Sequence, residues 1–441
     1  MSILENFFSL ESLNHCVERL INNHFDVIKK QSFISTGSDR VDFAQFRRDQ
    51  KMHLETIQKK VLEGRYTFSP QLERKIPKSN PKEYRTISVM TIRDTIVQRA
   101  LYEYLYSSVD STLSSSVFGY RKKTSSHNAV YAIREHFNQG MTYVFDADIK
   151  SFFDTVDHDI LLAKVGKMDI DNRVNKLVLR FLKTGKISSK QVEEHKLNKG
   201  KQKKYQPTKR EIGVPQGGVL SGLLSNLYLS EFDATILRRF PGLVRYADDF
   251  VVCCRSETEC EQVHQLVRKT LGSLNIILHP KKTQECVIAE KGIDFVGFRI
   301  STQGIKIKGQ NVSRFKNKIS RVLRRQKLFS NPKRTLKSIC KRLTFKIKGP
   351  SEEQLKLLAE RGIDSSMCMR SWIGFFRIID DENQINAIDR WIRKQISRFM
   401  WAKYKLRVKY TTMQEYGLPS LINSMWRARS RKSAKIELEN Q

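Results

Sequence analysis

Apolar positions recur at helical spacing early in the chain, at Leu13, Val17, Leu20 and Ile21 and again at Met52, Ile57 and Val61, which predicts a helical N-terminal segment over residues 1–70. The period then changes. Val144–Asp154 (VFDADIKSFFD) reads as a β run that ends on the carboxylates Asp146 and Asp148 before a helix-like stretch, and Leu243–Cys254 (LVRYADDFVVCC) reads as two short apolar β runs joined at Ala247-Asp248-Asp249, the pattern of a tight hairpin. Leu220, Leu224, Leu227 and Tyr228 line one side of a helix between them. Val263, Leu266, Val267 and Leu271 do the same over Thr258–Leu274. Toward the C-terminus, Ser371–Lys405 places Ile388, Trp391, Ile392, Ile396 and Phe399 on an apolar face and Arg390, Arg393, Lys394 and Arg398 opposite it.

Composition narrows the class. A chain of 441 residues has room for two or three domains, and its 39% apolar content suits a soluble globular protein. The sequence contains no apolar run long enough to span a membrane, and its N-terminus lacks the basic start of a secretory signal, so a cytoplasmic protein without a membrane partner is expected. The seven cysteines form no CxxC pair and no Cys/His ligand spacing, and are expected to be reduced thiols without a zinc site or disulfide framework. The nine histidines form no HNH-like or HExxH grouping.

The formal net charge of +34 repels itself unless a polyanion neutralises it, and nucleic acid is the natural partner. That charge is unevenly spread: residues 301–350 carry 16 Lys and Arg and no Asp or Glu. Within them Arg314, Lys318, Arg321 and Arg325 recur at three- and four-residue spacing, which makes one positive stripe on a helix.

The candidate chemistry lies in the strands. Two β runs that each deliver a carboxylate, Asp148 and Asp248, 100 residues apart (248 − 148), supply hard oxygen ligands of the kind Mg²⁺ takes alongside water and substrate phosphate.

In order along the chain, these segments resemble a group II intron-like bacterial reverse transcriptase. Tyr246-Ala247-Asp248-Asp249 matches the YxDD box of that family, and Asp148–Asp154 (DIKSFFD) matches its first catalytic aspartate motif. Gly213-Val214-Pro215-Gln216-Gly217-Gly218 matches its GxPQGG loop, while Leu278–Thr283 and Phe295–Phe298 match its last palm motifs. Ordered motifs run from about Ile76 to Lys405, some three quarters of the chain. One departure is Gly222, where intron-type relatives carry Pro.

The resemblance implies an α+β right-hand polymerase: an N-terminal extension (1–70), fingers and palm with antiparallel sheet (71–300), then a basic linker and helical thumb of the maturase or X type (301–441). Two Mg²⁺ ions about 3.5–4 Å apart are expected, held by Asp148, Asp248 and the Ile149 carbonyl with Asp249 in support. Asp146 and Asp154 are expected to be structural or supporting. Around the turn signal Ser79-Asn80-Pro81, the likeness assigns Lys78 and Arg85 to the triphosphate of the incoming dNTP. It assigns Phe153 to its sugar, where a bulky ring excludes a 2′-hydroxyl, and Gln216 to the nascent base pair. Arg121, Lys122 and Lys123 are expected on template or primer backbone. Arg314, Lys318, Arg321 and Arg325 are expected on nucleic acid through the basic stripe, and Arg393 and Lys394 through the thumb. Lys282 is compatible with a general acid for pyrophosphate or with a structural lysine, and the Lys-rich loop 187–210 with an RNA contact or a solvated insertion.

The partners so implied are a structured non-coding RNA template, its DNA product and dNTPs. Compact, with no endonuclease signature, the chain resembles the defence-associated reverse transcriptases that copy a non-coding RNA against phage. The alternatives are an intron maturase acting in splicing and mobility, a template-independent or protein-primed DNA polymerase, and a structural RNA-binding protein with a dead palm.

Overall fold

The structure is a computed structural model that describes residues 2–26, 31–32, 34–77, 84–188, 191, 207–280, 283–360 and 371–439. It divides into two compact units, Met1–His24 with Ser32–Ile288, and Phe25–Gln31 with Ala289–Gln441. No helix among the described residues is long and apolar enough to cross a membrane.

In the first unit, α1 (Leu10–Asn23) and α2 (Gln50–Leu62) present Leu13, Val17, Leu20, Leu54, Ile57 and Val61 to the core. Both pack on α3 (Ile92–Asp110), a long helix capped by Thr91. Ahead of α3, β1 (Gln71–Pro77) pairs antiparallel with β2 (Tyr84–Val89), in a register that sets Ile76 opposite Arg85. The same β1 pairs in parallel with the short β4 (Lys186–Ser188) on its other side.

The central sheet is fully antiparallel. Its strands are β3 (Tyr143–Asp148), β5 (Leu243–Tyr246), β6 (Asp249–Cys254) and β7 (Gln284–Ile288), in spatial order β5-β6-β3-β7. A continuous apolar run is what a strand buried on both faces requires, and in β6 every residue from Phe250 to Cys254 is buried. Helix α4 (Ser126–Asn138) packs on β5 and β6, and α9 (Glu257–Gly272) packs on β3, β6 and β7 through Cys260, Val263, Val267 and Leu271.

Between β3 and β5 the chain forms α5 (Phe152–Thr155), α6 (His158–Gly166), α7 (Asn172–Leu182) and α8 (Ser221–Leu237). Helix α8 is buried almost all round, as expected of a helix apolar on every side. Four of its buried residues, Ser221, Ser225, Asn226 and Asp233, carry polar side chains, and burying an amide or a carboxylate is costly unless it finds a partner.

The second unit opens with an antiparallel meander, β8 (Ile293–Phe295), β9 (Phe298–Ser301) and β10 (Gly304–Ile307). It continues through α10 (Gly309–Arg324), α11 (Pro332–Lys348), α12 (Glu382–Tyr404) and α13 (Leu421–Glu439). Its core gathers Phe315 stacked on Trp372 at 3.7 Å and Phe298 against both Phe375 and Phe376 at 5.3 Å. Gln384 ties α12 to β10, accepting from the Ile307 N–H and donating to its carbonyl.

Phe250, fully buried at the start of β6, meets Phe232 of α8 edge-on at 5.2 Å and Phe145 of β3 at 6.3 Å. Its replacement by alanine leaves a cavity under the hairpin, and Phe250→Ala is expected to cost about 3–5 kcal/mol, read as a lowered denaturant midpoint.

Candidate active site

The site is built on the β5–β6 hairpin. Tyr246 pairs with Asp249, so Ala247 and Asp248 alone make the turn, and Ala247 has φ 60°. A two-residue hairpin turn with positive φ at its first position is the form that glycine usually fills. Here the strained alanine is held from outside. Gly119 lies so close to the Ala247 N–H that a side chain on it would collide with the turn.

On the other side of β6, the register sets Asp148 of β3 directly opposite Asp249. Facing residues of an antiparallel pair project to the same face, and like charges so placed destabilise the sheet. With Asp248 in the adjoining turn, three carboxylates from two segments collect at one end of the sheet. Asp148 and Asp248 are half-buried and Asp249 is exposed, while Asp146, further down β3, is paired with Val251. Just beyond β3, Ile149 bridges to Leu278 through bonds from the Lys150 N–H to the Ile277 carbonyl and from the His279 N–H to the Asp148 carbonyl, on either side of its own carbonyl.

This donor set fits a hard divalent cation, because carboxylate oxygens with an adjacent backbone carbonyl are the ligands Mg²⁺ accepts. Among the described residues no group of three or more His, Cys, Asp or Glu is placed to hold a metal ion by itself, and Mg²⁺ commonly takes the rest of its shell from water and substrate phosphate.

After Lys150 the chain turns sharply at Ser151, φ 49°, into α5. Phe152 takes the core place, 2% exposed and 6.3 Å from the Tyr228 ring, which leaves Phe153 half-buried beside it. Asp154 is exposed. The GxPQGG loop is sewn to this segment: the Val214 N–H donates to the Phe153 carbonyl at 2.7 Å and the Gly213 N–H to the Val156 carbonyl at 2.8 Å. His158 Nε2 lies 2.7 Å from the Gly213 carbonyl. The Gln216 carbonyl accepts from the Ser88 N–H at 2.8 Å, which joins the loop to β2. Arg85 is exposed on the same strand. Lys78, Lys282, the turn 79–81 and most of the Lys-rich loop 187–210 lie outside the described residues.

Arg121 and Lys122 are both ion-paired within the protein, Arg121 partly buried and Lys122 at the surface. The Arg121 guanidinium donates to Asp110 at 2.7 Å and to the Ser114 and Val117 carbonyls, and it holds the Asp110 carboxyl below its usual range. Lys122 reaches Glu103 at 2.6 Å and lies over the Tyr106 ring. A run that looks like a basic flag in sequence thus fastens its own loop.

In the second unit, Arg314, Lys318, Arg321 and Arg325 are all exposed, while Phe315, Ile319, Val322 and Leu323 of the same helix are buried. On α12, Ile385, Ile388, Ile392, Ile396 and Met400 are buried and Lys394 is exposed. Arg393 is partly withdrawn, bonded to Asp389 at 2.7 Å with its guanidinium 4.0 Å from the Tyr410 ring centre.

The feature missed from sequence is Arg245, which sits inside β5 with no exposure at all. Its guanidinium makes a forked pair with Asp233 of α8 at 2.7 and 2.5 Å, and donates at 2.9 Å to Asn226 Oδ1 and to the Ala247 carbonyl. Asn226 in turn donates to the Gly119 carbonyl at 2.8 Å. Burial raises the Asp233 carboxyl above its ordinary value, and the Arg245 guanidinium opposes that rise. Asn226 and Asp233 thus find one common partner, which holds both the hairpin turn and the loop packed against it. An arginine inside the apolar run LVRY, with Asn226 and Asp233 seven residues apart on an apolar helix, was the available signal.

Comparison with known proteins gives the family. Residues 76–300 match the family of reverse transcriptases (RNA-dependent DNA polymerases), and residues 356–417 match the maturase-specific domain of group II introns. The chain belongs to the reverse transcriptase family. It is 28% identical to protein YkfC of Escherichia coli (strain K12) over 60% of this chain and 75% of that one. To the group II intron-encoded protein LtrA of Lactococcus lactis subsp. cremoris it is 29% identical over 42% of this chain and 28% of that one. Among solved structures, telomerase from Candida albicans with a fragment of telomeric RNA aligns over 87% of this chain and 66% of that chain at 14% identity, with a TM-score of 0.43.

Arg245→Leu strands the Asp233 carboxylate in the core, and is expected to cost about 3–5 kcal/mol in thermal or denaturant unfolding. Adding Asp233→Leu is expected to recover most of that loss. If stability does not recover in the double variant, the stranded charge is not the cause.

Proposed function

We propose that this protein is an RNA-directed DNA polymerase that extends a primer 3′-hydroxyl with dNTPs, using two Mg²⁺ ions held by Asp148 and Asp248 with the Ile149 carbonyl and Asp249 in support. The observation that carries this reading is the register of the central sheet, which places Asp148 opposite Asp249 with Asp248 in the adjoining turn. Bound cations of this kind activate the attacking hydroxyl and stabilise the leaving pyrophosphate.

Around them the chain's own groups have separate tasks. Arg85, with Lys78, neutralises the triphosphate, the Phe153 ring packs under the sugar and rejects a 2′-hydroxyl, and Gln216 lies along the nascent base pair. Because the Phe153 carbonyl is bonded to the GxPQGG loop and that loop to β2, sugar, base and phosphate contacts belong to one hydrogen-bonded assembly.

The template is proposed to be a structured RNA bound through the basic stripe of α10 and the exposed cations of α12. A cognate non-coding RNA copied in antiviral defence is the finer reading, resting on the family resemblance. A role in intron splicing is the second reading, favoured by the match of residues 356–417 to the maturase-specific domain. Sequencing the nucleic acid that copurifies separates them: one structured RNA with matching cDNA supports the first, a spliced intron the second.

Asp248→Asn is expected to abolish dNTP incorporation on a primed RNA template while leaving the melting temperature and RNA affinity near wild type; full activity in that variant defeats the assignment. Replacing Arg314, Lys318, Arg321 and Arg325 by glutamine is expected to weaken RNA binding and flatten its log–log salt dependence by about 0.7–0.9 for each phosphate no longer neutralised, measured by titration across a salt series.

A further inference from the structure

Tyr120 lies among the residues assigned to the incoming nucleotide. Its backbone is in the left-handed region, φ 58°, and is clamped on both sides. Before it, Gly119 is pressed on Ala247 and bonded to Asn226; after it, Arg121 is tied to Asp110 and two carbonyls. Little is left for this backbone to adjust, so the direction of the ring is set.

The ring lies across Gly222 in the first turn of α8, where an added Cβ would come within 2.5 Å of Tyr120 Cγ and 2.6 Å of Cδ1. It meets the Phe153 ring edge-on, with centroids 6.5 Å apart and planes at 85°, a favourable aromatic arrangement. Even so, 47% of the residue stays exposed, so one side of the ring is packed and the other is open. Its hydroxyl senses the surrounding charges: burial raises its pKa, Asp248 adds to the rise and Arg85 opposes it. The ring follows directly on Gly119, which is pressed on the turn that carries Asp248, and it touches Phe153, the residue assigned to the sugar.

We propose that Tyr120 is a positioning residue that sets sugar specificity: its ring props Phe153 in place and forms a second wall of the nucleotide pocket, and the missing side chain at Gly222 is what lets it lie there. The inference rests on the polymerase reading above and deepens it, the ligand class being 2′-deoxynucleoside triphosphates as against ribonucleoside triphosphates. Without the Tyr120 ring, Phe153 is unsupported on that side and can swing aside to admit a 2′-hydroxyl. Discrimination by such a wall, with no hydrogen bond reading the sugar, amounts to about 10–200-fold.

The test is single-nucleotide extension of a primer on an RNA template, with kcat/KM measured for a dNTP and for the matching rNTP. Tyr120→Ala is expected to lower the dNTP:rNTP ratio about tenfold or more, and Tyr120→Leu, which keeps bulk but no ring, to lower it as well. Tyr120→Phe is expected to hold the ratio within about twofold. Gly222→Ala, which displaces the ring, is expected to lower it too, and Gly222→Ala with Tyr120→Ala to be no worse than Tyr120→Ala alone. Equal losses with both nucleotides at an unchanged ratio, or full additivity of the two substitutions, overturn the inference while the wild type still incorporates dNTPs. No dNTP incorporation by the wild type overturns the polymerase reading, and the inference with it.

Discussion

The buried ion pair between Arg245 and Asp233 is the constraint on which the site depends. Taking both charges out of water costs several kcal/mol per ion, and well-packed apolar residues often match such a pair in stability. Its effect lies in what the remaining donors reach. After pairing with Asp233, the guanidinium still bonds the Ala247 carbonyl and Asn226, and Asn226 bonds Gly119. A turn that places an alanine at positive φ is thereby held at its carbonyl, and the loop covering it is held to the same helix. The carboxylate of Asp248 inherits its position from that arrangement, since it follows Ala247 directly in the chain.

Much of this geometry was legible in the sequence. The β run that ends at Asp148 and the two apolar runs flanking Ala247-Asp248 specified strands and a tight turn, and Asp248 falls in that turn as its chemistry suggests. The helical spacing of Arg314, Lys318, Arg321 and Arg325 translated directly into one exposed stripe, because periodicity is a local property. What escaped was long-range. Nothing near Arg245 in the chain indicates that its partners lie on α8, 12 and 19 residues away, or that its carbonyl takes the Phe118 N–H. Arg121 shows the same limit. Beside Lys122 and Lys123 it looks like part of a solvated patch, and only the placement of Asp110 one helix earlier turns it inward.

The cations of this protein accordingly do two kinds of work. Arg245, Arg121 and Arg393 each face a carboxylate and a second acceptor or ring inside the fold, where the forked shape of arginine is useful. Arg314, Lys318, Arg321 and Arg325 on the outer face of α10 stay exposed, and with the exposed cations of α12 they contribute to the field a polyanion would meet. A count of basic residues overstates the binding surface to the extent that arginines are spent on internal order.

The bridge between Val117 and Arg245 bears on how copies of this chain behave in a crowded solution. Strand β5 ends the central sheet, and a bare terminal strand is a template for pairing with another molecule. Here Ser116 and Phe118 occupy that rim, through the Arg245 N–H to the Ser116 carbonyl and the Phe118 N–H to the Arg245 carbonyl, each 2.9 Å. Mutual repulsion keeps strongly cationic molecules apart only until a polyanion cancels it. The bridge thus covers one of the sheet's two edges, the one next to the Ala247-Asp248 turn, where a polyanion that cancels the repulsion would otherwise leave a strand open to pairing.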